Sequence, residues 1–136
     1  MFSIFSSKKK KKTLMFVDDD KNILSMYRQI FSMNDEYEVI TVDNKSDFLS
    51  QVSEADVVIS DYHMKEITDI NFANVLDVCE KKEIPLLLLT GDIYPYYDYQ
   101  LSKPVSPKSL KVQIEKMLER GYVPSKKKPP KSRSAA

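Results

Sequence analysis

Three consecutive carboxylates follow a short apolar run near the start of the sequence. The stretch FVDDDKN, residues 16–22, places Asp18, Asp19 and Asp20 directly at the end of that run. Like charges crowded in this way repel one another and favour the protonated forms, so a positive group is expected beside them. Asp20 is expected only to begin a helix, because an aspartate in a first turn complements the helix dipole.

The elements that position these acids follow from the alternation of short apolar runs with amphipathic stretches, a pattern typical of a parallel sheet covered by helices. The predicted strands are residues 13–17, 37–42, 56–60, 85–90 and 99–102. The predicted helices are residues 20–33, 45–53, 71–82 and 107–120, the last capped by Ser106 and ended by Gly121. The second helix is expected to turn Phe48, Leu49 and Val52 inward. This order predicts an α/β fold of the flavodoxin-like, doubly wound type, with a five-stranded parallel sheet in the order 2-1-3-4-5.

Polar residues follow four of the five predicted strands. Asp18 and Asp19 follow the first, Asp61 the third, Thr90 the fourth and Lys103 the fifth. In a sheet of the predicted order the carboxyl ends of these strands are neighbours, and ligands of such folds bind there. We therefore expect three carboxylates, one hydroxyl and one ammonium group to meet in a single site.

This ordered set resembles the receiver domain of bacterial two-component response regulators, and in particular the single-domain chemotaxis receiver. The resemblance covers residues 13–121 and includes the Pro104 that follows Lys103. It implies that Asp61 accepts a phosphoryl group from a phosphohistidine on a sensor histidine kinase or a phosphotransfer protein. Such a protein signals by altered binding to a downstream protein, and its only catalysis is its own phosphorylation and dephosphorylation.

The resemblance also implies a cofactor, Mg²⁺ or Mn²⁺, and a role for each site residue. Asp19 and Asp61 are expected to bind the ion directly, Asp18 through water, and the backbone carbonyl of His63 is expected to complete the protein ligands. Carboxylate and carbonyl oxygens suit such a hard divalent ion. Lys103 and Thr90 are expected to contact phosphoryl oxygens, because phosphoryl transfer requires neutralisation of charge and correct positioning. The side chain of His63 is either a bystander or a control on hydrolysis of the phosphoryl group.

The chain departs from the family between the fourth and fifth strands. Only residues 91–98, GDIYPYYD, are available for that connection, and Pro95 disfavours a regular helix. We therefore expect the family's helix at this point to be lost or reduced. Gln100 stands where the family commonly has an aromatic switch residue, and Lys65 and Asp69 stand where it often has Pro and Gly.

Four tyrosines surround this departure and are candidates for a switch or output surface. They are Tyr94, Tyr96, Tyr97 and Tyr99. Tyrosines here could pack into the space that a lost helix leaves, or form an exposed contact surface, since Tyr is enriched at interfaces. Of the two, the exposed surface is our expectation.

Two alternatives to phosphorylation signalling remain at this point. One is a receiver-like scaffold that binds partners without using phosphorylation. The other is a phosphatase of the haloacid dehalogenase type, whose D-x-D motif matches Asp18 and Asp20. Against the phosphatase, Lys103 follows the late acidic segment, whereas those enzymes carry the catalytic lysine before it.

Charge divides the chain into three parts. Residues 13–125 contain all 20 acidic residues and 11 Lys and Arg, a formal charge of −9, while the two ends carry the other ten basic residues. Residues 1–12 and 123–136 are predicted to be disordered basic tails, and residues 13–122 to be the receiver domain. Exposed lysines of this kind could bind an anionic membrane or nucleic acid.

Further expectations concern location and output. The single cysteine, Cys79, lies at helical spacing with apolar residues and is expected to be a core residue of a cytoplasmic protein. The apolar residues and lysines at the start are in the wrong order for a secretory signal, although they could attach the chain peripherally at the inner membrane surface. Only fifteen residues follow Gly121, so no DNA-binding domain is expected there.

Overall fold

Five parallel strands form the centre of the structure, a computed structural model that describes residues 10–65 and 69–130. The strands are β1 (Lys12–Val17), β2 (Tyr37–Val42), β3 (Val57–Asp61), β4 (Leu86–Thr90) and β5 (Gln100–Ser102). Their order is β2-β1-β3-β4-β5, and every neighbouring pair is parallel. The predicted α/β fold, the strand order and each predicted strand are confirmed to within a residue or so at the ends.

Within the described residues four α-helices cover this sheet, and each begins directly after a residue whose side chain accepts a hydrogen bond from the first turn. The helices are α1 (Lys21–Ser32), α2 (Lys45–Gln51), α3 (Phe72–Lys82) and α4 (Pro107–Arg120), and their caps are Asp20, Asn44, Asn71 and Ser106. These side chains satisfy backbone N–H groups that have no partner within the helix. Gly121 ends α4 at a φ of 79°, a conformation that glycine adopts without strain.

The hydrophobic core lies on both faces of the sheet. On one face α3 contributes Val75, Leu76 and Cys79, and on the other α4 contributes Leu110 and Ile114 beside α1. Every residue of β3 and β4 is buried, as expected for central parallel strands covered on both faces. Among the described residues, no helix is both long and apolar enough to cross a membrane.

Two expectations about individual core residues had different outcomes. Cys79 is buried as predicted, and burial raises the pKa of its thiol to about 12, which keeps it protonated and unreactive. The prediction for Leu49 is wrong, because its side chain is 47% exposed. Phe48 of α2 and Val52, the first residue after that helix, are the buried pair four positions apart, and Leu49 lies one residue round the helix from Phe48.

The connection between β4 and β5, residues 91–99, contains no helix, as predicted. Tyrosine rings fill part of the space. Tyr97 is 4% exposed and packs against Phe72 of α3, with ring centroids 5.6 Å apart. Tyr94 packs against the same Phe72 ring at 5.9 Å. Tyrosine side chains therefore cover apolar surface on the α3 side of β4 and β5.

Residues 123–130, which composition predicts to belong to a disordered tail, make specific contacts with the domain. Ser125 is 6% exposed, and its hydroxyl accepts a hydrogen bond from the backbone N–H of Asp98. At the other end, Lys12 is the first residue of β1, and Lys11 pairs with Asp35. Local composition predicted disorder because it contains no information about these distant acidic partners. Residues 1–9 and 131–136 lie outside the described residues.

Candidate functional site

The three predicted carboxylates lie together at the carboxyl end of the sheet. Asp18 and Asp61 follow adjacent strands, because β1 pairs with β3, and each is only 5% exposed. One carboxylate oxygen from each of Asp18, Asp19 and Asp61 lies within 4.8 Å of the others. Asp19 is half-buried, so the cluster opens toward solvent on its side. The topology of the sheet therefore concentrates three hard oxygen donors at one point.

The carboxyl group of Asp18 has a strongly perturbed titration. Burial raises the pKa of its carboxyl to about 7, an effect that the nearby negative charge of Asp61 reinforces. The backbone N–H of Asp20 donates to Asp18 Oδ1 at 3.0 Å and opposes this rise. Desolvation and like charge both disfavour the ionised form, so a cation in the cluster would return Asp18 to it.

Lys103 forms an ion pair with Asp61, as its place after β5 led us to expect. Its Nζ contacts Asp61 Oδ1, and its side chain is 42% exposed while that of Asp61 is buried. The backbone N–H of Lys103 donates to the Thr90 carbonyl at 2.8 Å, which aligns the end of β5 with the end of β4. The following peptide bond, to Pro104, is cis. The ammonium group thus partly neutralises a carboxylate that is otherwise buried in an acidic cluster.

Thr90 is buried at the end of β4, and its hydroxyl hydrogen-bonds to the next segment of the chain. Thr90 Oγ1 donates to the carbonyl of Asp92 at 2.7 Å and lies 3.3 Å from the Asp92 N–H. These contacts join the end of β4 to the β4–β5 connection. Thr90 thus ends the strand next to β3, which carries Asp61, and its hydroxyl is bonded to the connection.

Asp20 does not belong to the carboxylate cluster. It is exposed, and its Oδ1 accepts hydrogen bonds from the N–H groups of Asn22 at 2.9 Å and Ile23 at 3.3 Å. Its role is to cap α1, as predicted. An aspartyl phosphatase requires both carboxylates of its D-x-D motif in one site. Asp18 and Asp20 match that motif in sequence, but Asp20 lies outside the carboxylate cluster.

His63 lies two residues beyond Asp61 with an exposed side chain. Its ring meets that of Tyr62 edge-on, at 5.0 Å between centroids. Its predicted role as a carbonyl ligand stays a prediction. Lys65 and Asp69 bound residues 66–68, which lie outside the described residues, so the predicted difference in the shape of this loop also stays a prediction.

Gln100 binds the backbone of the β4–β5 connection with its side-chain amide. Its Nε2 donates to the carbonyls of Tyr94 and Tyr97, both at 2.6 Å, and its Oε1 accepts from the Tyr94 N–H at 2.8 Å. At the position where the family commonly has an aromatic ring, this chain therefore has a polar clamp that holds the connection against β5.

The four tyrosines differ in exposure, and the expectation of a shared exposed surface is wrong for Tyr97. Tyr97 is buried, Tyr94 and Tyr99 are half-buried, and Tyr96 is 40% exposed. Tyr94 also contacts Tyr62, the residue after Asp61, with ring centroids 5.0 Å apart. An aromatic contact thus joins the loop after β3 to the connection.

Sequence patterns alone missed the proximity of Tyr27 to the site. Tyr27 lies in α1 and stacks on Phe16 of β1, with ring centroids 4.6 Å apart. Burial raises the pKa of its hydroxyl to about 12, and the charges of Asp18 and Asp61 act in the same direction. No pattern in the sequence indicated this proximity, because it arises from the packing of α1 across β1.

The donor set fits a hard divalent cation. Three carboxylates with converging oxygens suit the oxygen preference of Mg²⁺ or Mn²⁺, and the described residues near them offer no cluster of Cys or His that would favour a softer metal. The raised pKa of Asp18 reflects burial and neighbouring negative charge, which a divalent cation would offset.

Comparison of the fold with solved structures points to one class of domain. A chemotaxis protein, CheY4, from Vibrio cholerae has 26% sequence identity and a TM-score of 0.66, with 79% of this chain and 98% of that chain covered. A CheY-like receiver domain protein from Methanospirillum hungatei JF-1 has 22% identity and a TM-score of 0.69 over 82% and 96% of the two chains. The signal receiver domain of an HD domain-containing protein from Pseudomonas fluorescens Pf-5 has 22% identity and a TM-score of 0.68 over 82% and 97%.

Sequence comparison is less sensitive at this level of identity. No protein-family model and no curated protein sequence matches the chain. The structural likeness nevertheless covers about four-fifths of the chain and nearly the whole of each of these receivers. This chain therefore has the fold of a response-regulator receiver domain.

Proposed function

We propose that this chain is a phosphoacceptor receiver that takes a phosphoryl group on Asp61 and signals through altered protein binding. The observation that supports this most directly is the placement of Asp61, which is buried, lies beside two further carboxylates and pairs with Lys103. A fold shared with receivers would not by itself require these residues to meet. The set is the one that phosphoryl transfer to a carboxylate needs.

The chemistry proceeds by displacement at phosphorus. An Asp61 carboxylate oxygen forms the new O–P bond as the P–N bond to the donor's imidazole breaks, and the electron pair of that bond returns to the ring nitrogen. The donor is a phosphohistidine of a sensor histidine kinase or a phosphotransfer protein. Hydrolysis later returns Asp61 to a carboxylate and releases inorganic phosphate, so the chain carries a signal rather than turning over a substrate.

Each neighbouring residue has a role in this step. Asp18, Asp19 and Asp61 would hold Mg²⁺ or Mn²⁺, with the His63 carbonyl as the further protein ligand. When bound, the ion supplies positive charge that offsets the repulsion between an anionic carboxylate and an anionic phosphoryl group. Lys103 supplies a second positive charge at the phosphoryl oxygens, and Thr90 supplies a hydrogen-bond donor.

The test is exposure of the full chain to acetyl phosphate with Mg²⁺, read by intact mass. We expect a gain of one phosphoryl group that disappears with EDTA and in Asp61→Asn. Asp77→Asn, which removes an exposed carboxylate on α3, is the matched control and should label normally. If Asp61→Asn gained the same mass as the unmodified sequence, another residue would be the acceptor and the proposal would be wrong.

A second candidate is a receiver-like scaffold whose binding does not depend on phosphorylation. The observation that favours it is the Gln100 clamp, which replaces the family's aromatic switch by hydrogen bonds to a packed connection. Amide exchange distinguishes the two functions. Phosphoryl transfer that leaves the exchange of residues 90–100 unchanged would favour the scaffold, whereas a changed pattern would favour the switch.

A further inference from the structure

The segment after α4 is bound to the β4–β5 connection by a set of hydrogen bonds centred on Asp98. Asp98 Oδ2 accepts from the backbone N–H of Lys126 at 2.5 Å and of Lys127 at 3.4 Å. The Ser125 hydroxyl lies 3.2 Å from the same oxygen and accepts from the Asp98 N–H at 3.0 Å. These donors hold the pKa of the Asp98 carboxyl below its usual value. We call residues 123–130 the strap.

The strap passes from one face of the sheet to the other around the β5 edge. It follows α4, which packs on the face that α1 also covers, and its Lys128 Nζ pairs with Glu80 Oε2 of α3, on the opposite face, at 2.8 Å. Between these points the Pro124 carbonyl accepts from the Tyr99 hydroxyl at 3.2 Å. The strap therefore lies beside the connection, on the side that lacks a helix.

The same connection contacts the candidate site at its other end. It begins at Thr90, whose hydroxyl donates to the Asp92 carbonyl, and it ends close to Asp98, which holds the strap. Gln100 fixes the backbone between these points through Tyr94 and Tyr97. Residues 90–98 thus join the phosphoacceptor site to the strap, with hydrogen bonds from Thr90 at one end and a set of hydrogen bonds at Asp98 at the other.

We propose that the strap, which lies beside the β4–β5 connection, can be released from Asp98, and that this release reports phosphorylation of Asp61. This rests on the proposed function. A phosphoryl group on Asp61 needs hydrogen-bond donors, and Thr90 can serve it only by giving up its bond to the Asp92 carbonyl. That loss frees the start of the connection, and the displaced connection withdraws Asp98 from the strap. The side chains of Lys126, Lys127 and Lys128 are already exposed, and release frees their backbone so that the basic segment can extend along an acidic partner surface.

Trypsin measures the state of the strap in the full chain. It cleaves after lysine except before proline, so cuts after Lys126 and Lys127 report strap opening, and Lys128 is shielded by Pro129. Because Asp98 is a charged acceptor, Asp98→Asn is expected to accelerate these cuts about tenfold. Asp77→Asn makes the same chemical change on α3, at a carboxylate that pairs with Lys81 and not with the strap, and should leave them unchanged. Ser125→Ala is the second variant, used alone if Asp98→Asn fails to fold.

The second arm treats the chain with acetyl phosphate and Mg²⁺, with phosphorylation verified by intact mass. Phosphorylation should accelerate the same cuts, and Asp98→Asn, already open, should show little further increase. If neither Asp98→Asn nor Ser125→Ala accelerates cleavage, the strap is not held as inferred and the proposal fails. If phosphorylation is verified but cleavage does not change, the reporting role fails while the proposed function stands. If no phosphoryl group is gained, the proposed function fails and the reporting role fails with it.

Discussion

The hydroxyl of Tyr97 offers a direct test of how this chain manages without a helix between β4 and β5. Tyr97 is 4% exposed, and its hydroxyl donates to the Leu86 carbonyl at 2.6 Å. The Leu88 N–H, two residues on, bonds to Tyr99 beside β5, so the polar groups of Leu86 face the same side. Strand β5 pairs only from Leu88 onward and does not reach Leu86. The tyrosine hydroxyl therefore satisfies a carbonyl that the short edge strand leaves without a strand partner.

Replacing Tyr97 by Phe removes one oxygen atom and leaves the ring in place. The expected cost is about 2 kcal/mol of unfolding free energy, because a buried carbonyl loses its hydrogen-bond partner while the apolar packing is retained. In urea, with a slope of about 2 kcal/mol per molar for a domain of this size, the midpoint should fall by about 1 M. Burial raises the pKa of the Tyr97 hydroxyl well above its usual value, so the donor stays protonated throughout an ordinary pH range.

The assay is equilibrium urea unfolding followed by circular dichroism, with Tyr96→Phe as the matched control. Tyr96 lies next to Tyr97 but is 40% exposed, so loss of its hydroxyl should move the midpoint by less than about 0.3 M. Equal midpoints for Tyr97→Phe and Tyr96→Phe, with unchanged slopes, would refute the inference that the Tyr97 hydroxyl stabilises the fold by satisfying the Leu86 carbonyl.

Further predictions concern the candidate site, the β4–β5 connection and the basic N-terminal residues. Lys103→Ala should slow labelling by acetyl phosphate about a hundredfold, measured by mass against time, because one charged group at the phosphoryl oxygens is lost. Burial raises the pKa of Asp18 to about 7, so Mg²⁺ affinity, followed by calorimetry, should strengthen as pH rises from about 6 to 8. The same raised pKa means that the metal-free fold binds the extra proton, so this contribution to stability is present below about pH 4 and is lost as pH rises through 7. Gln100→Ala should accelerate amide exchange at Tyr94 about tenfold, because its acceptor is removed. Deleting residues 1–9 should weaken retention on vesicles of an anionic phospholipid at low salt.

Each of these has a result that contradicts it. Labelling of Lys103→Ala at the normal rate would remove Lys103 from the chemistry. Asp18→Asn should abolish the pH dependence of Mg²⁺ binding. If the dependence persisted in this variant, a group other than Asp18 would be responsible for it. Unchanged exchange at Tyr94 would show that the clamp is not what holds the connection. Equal retention of the shortened chain would exclude residues 1–9 as the binding element, and retention that ignores salt would exclude the lysines.

Much of the fold was predictable because it depends on local patterns. The strands are short apolar runs, and helices α1, α3 and α4 have capping residues that appear in the sequence as Asp20, Asn71 and Ser106. The missing helix was also predictable, because eight residues that include Pro95 are too few for an ordinary crossover. Leu49 was not, because a short helix leaves the inward direction ambiguous by one residue.

For the candidate site, the sequence by itself determined the residue types, their order and the strand that each follows, and these predicted where Asp18, Asp19, Asp61, Thr90 and Lys103 meet. Only the tertiary structure decided which contacts the neighbouring polar groups make. Three sets of contacts illustrate this: the bond from Thr90 to Asp92, the Gln100 clamp and the contacts of Asp98 with the strap. From the sequence, the connection was expected to be a switch or output surface and the strap to be a disordered tail. The apolar runs define the strands, and the strand order then brings the ends of neighbouring strands together. Single hydrogen bonds between loops depend instead on where packing brings two segments, and no local pattern encodes that distance.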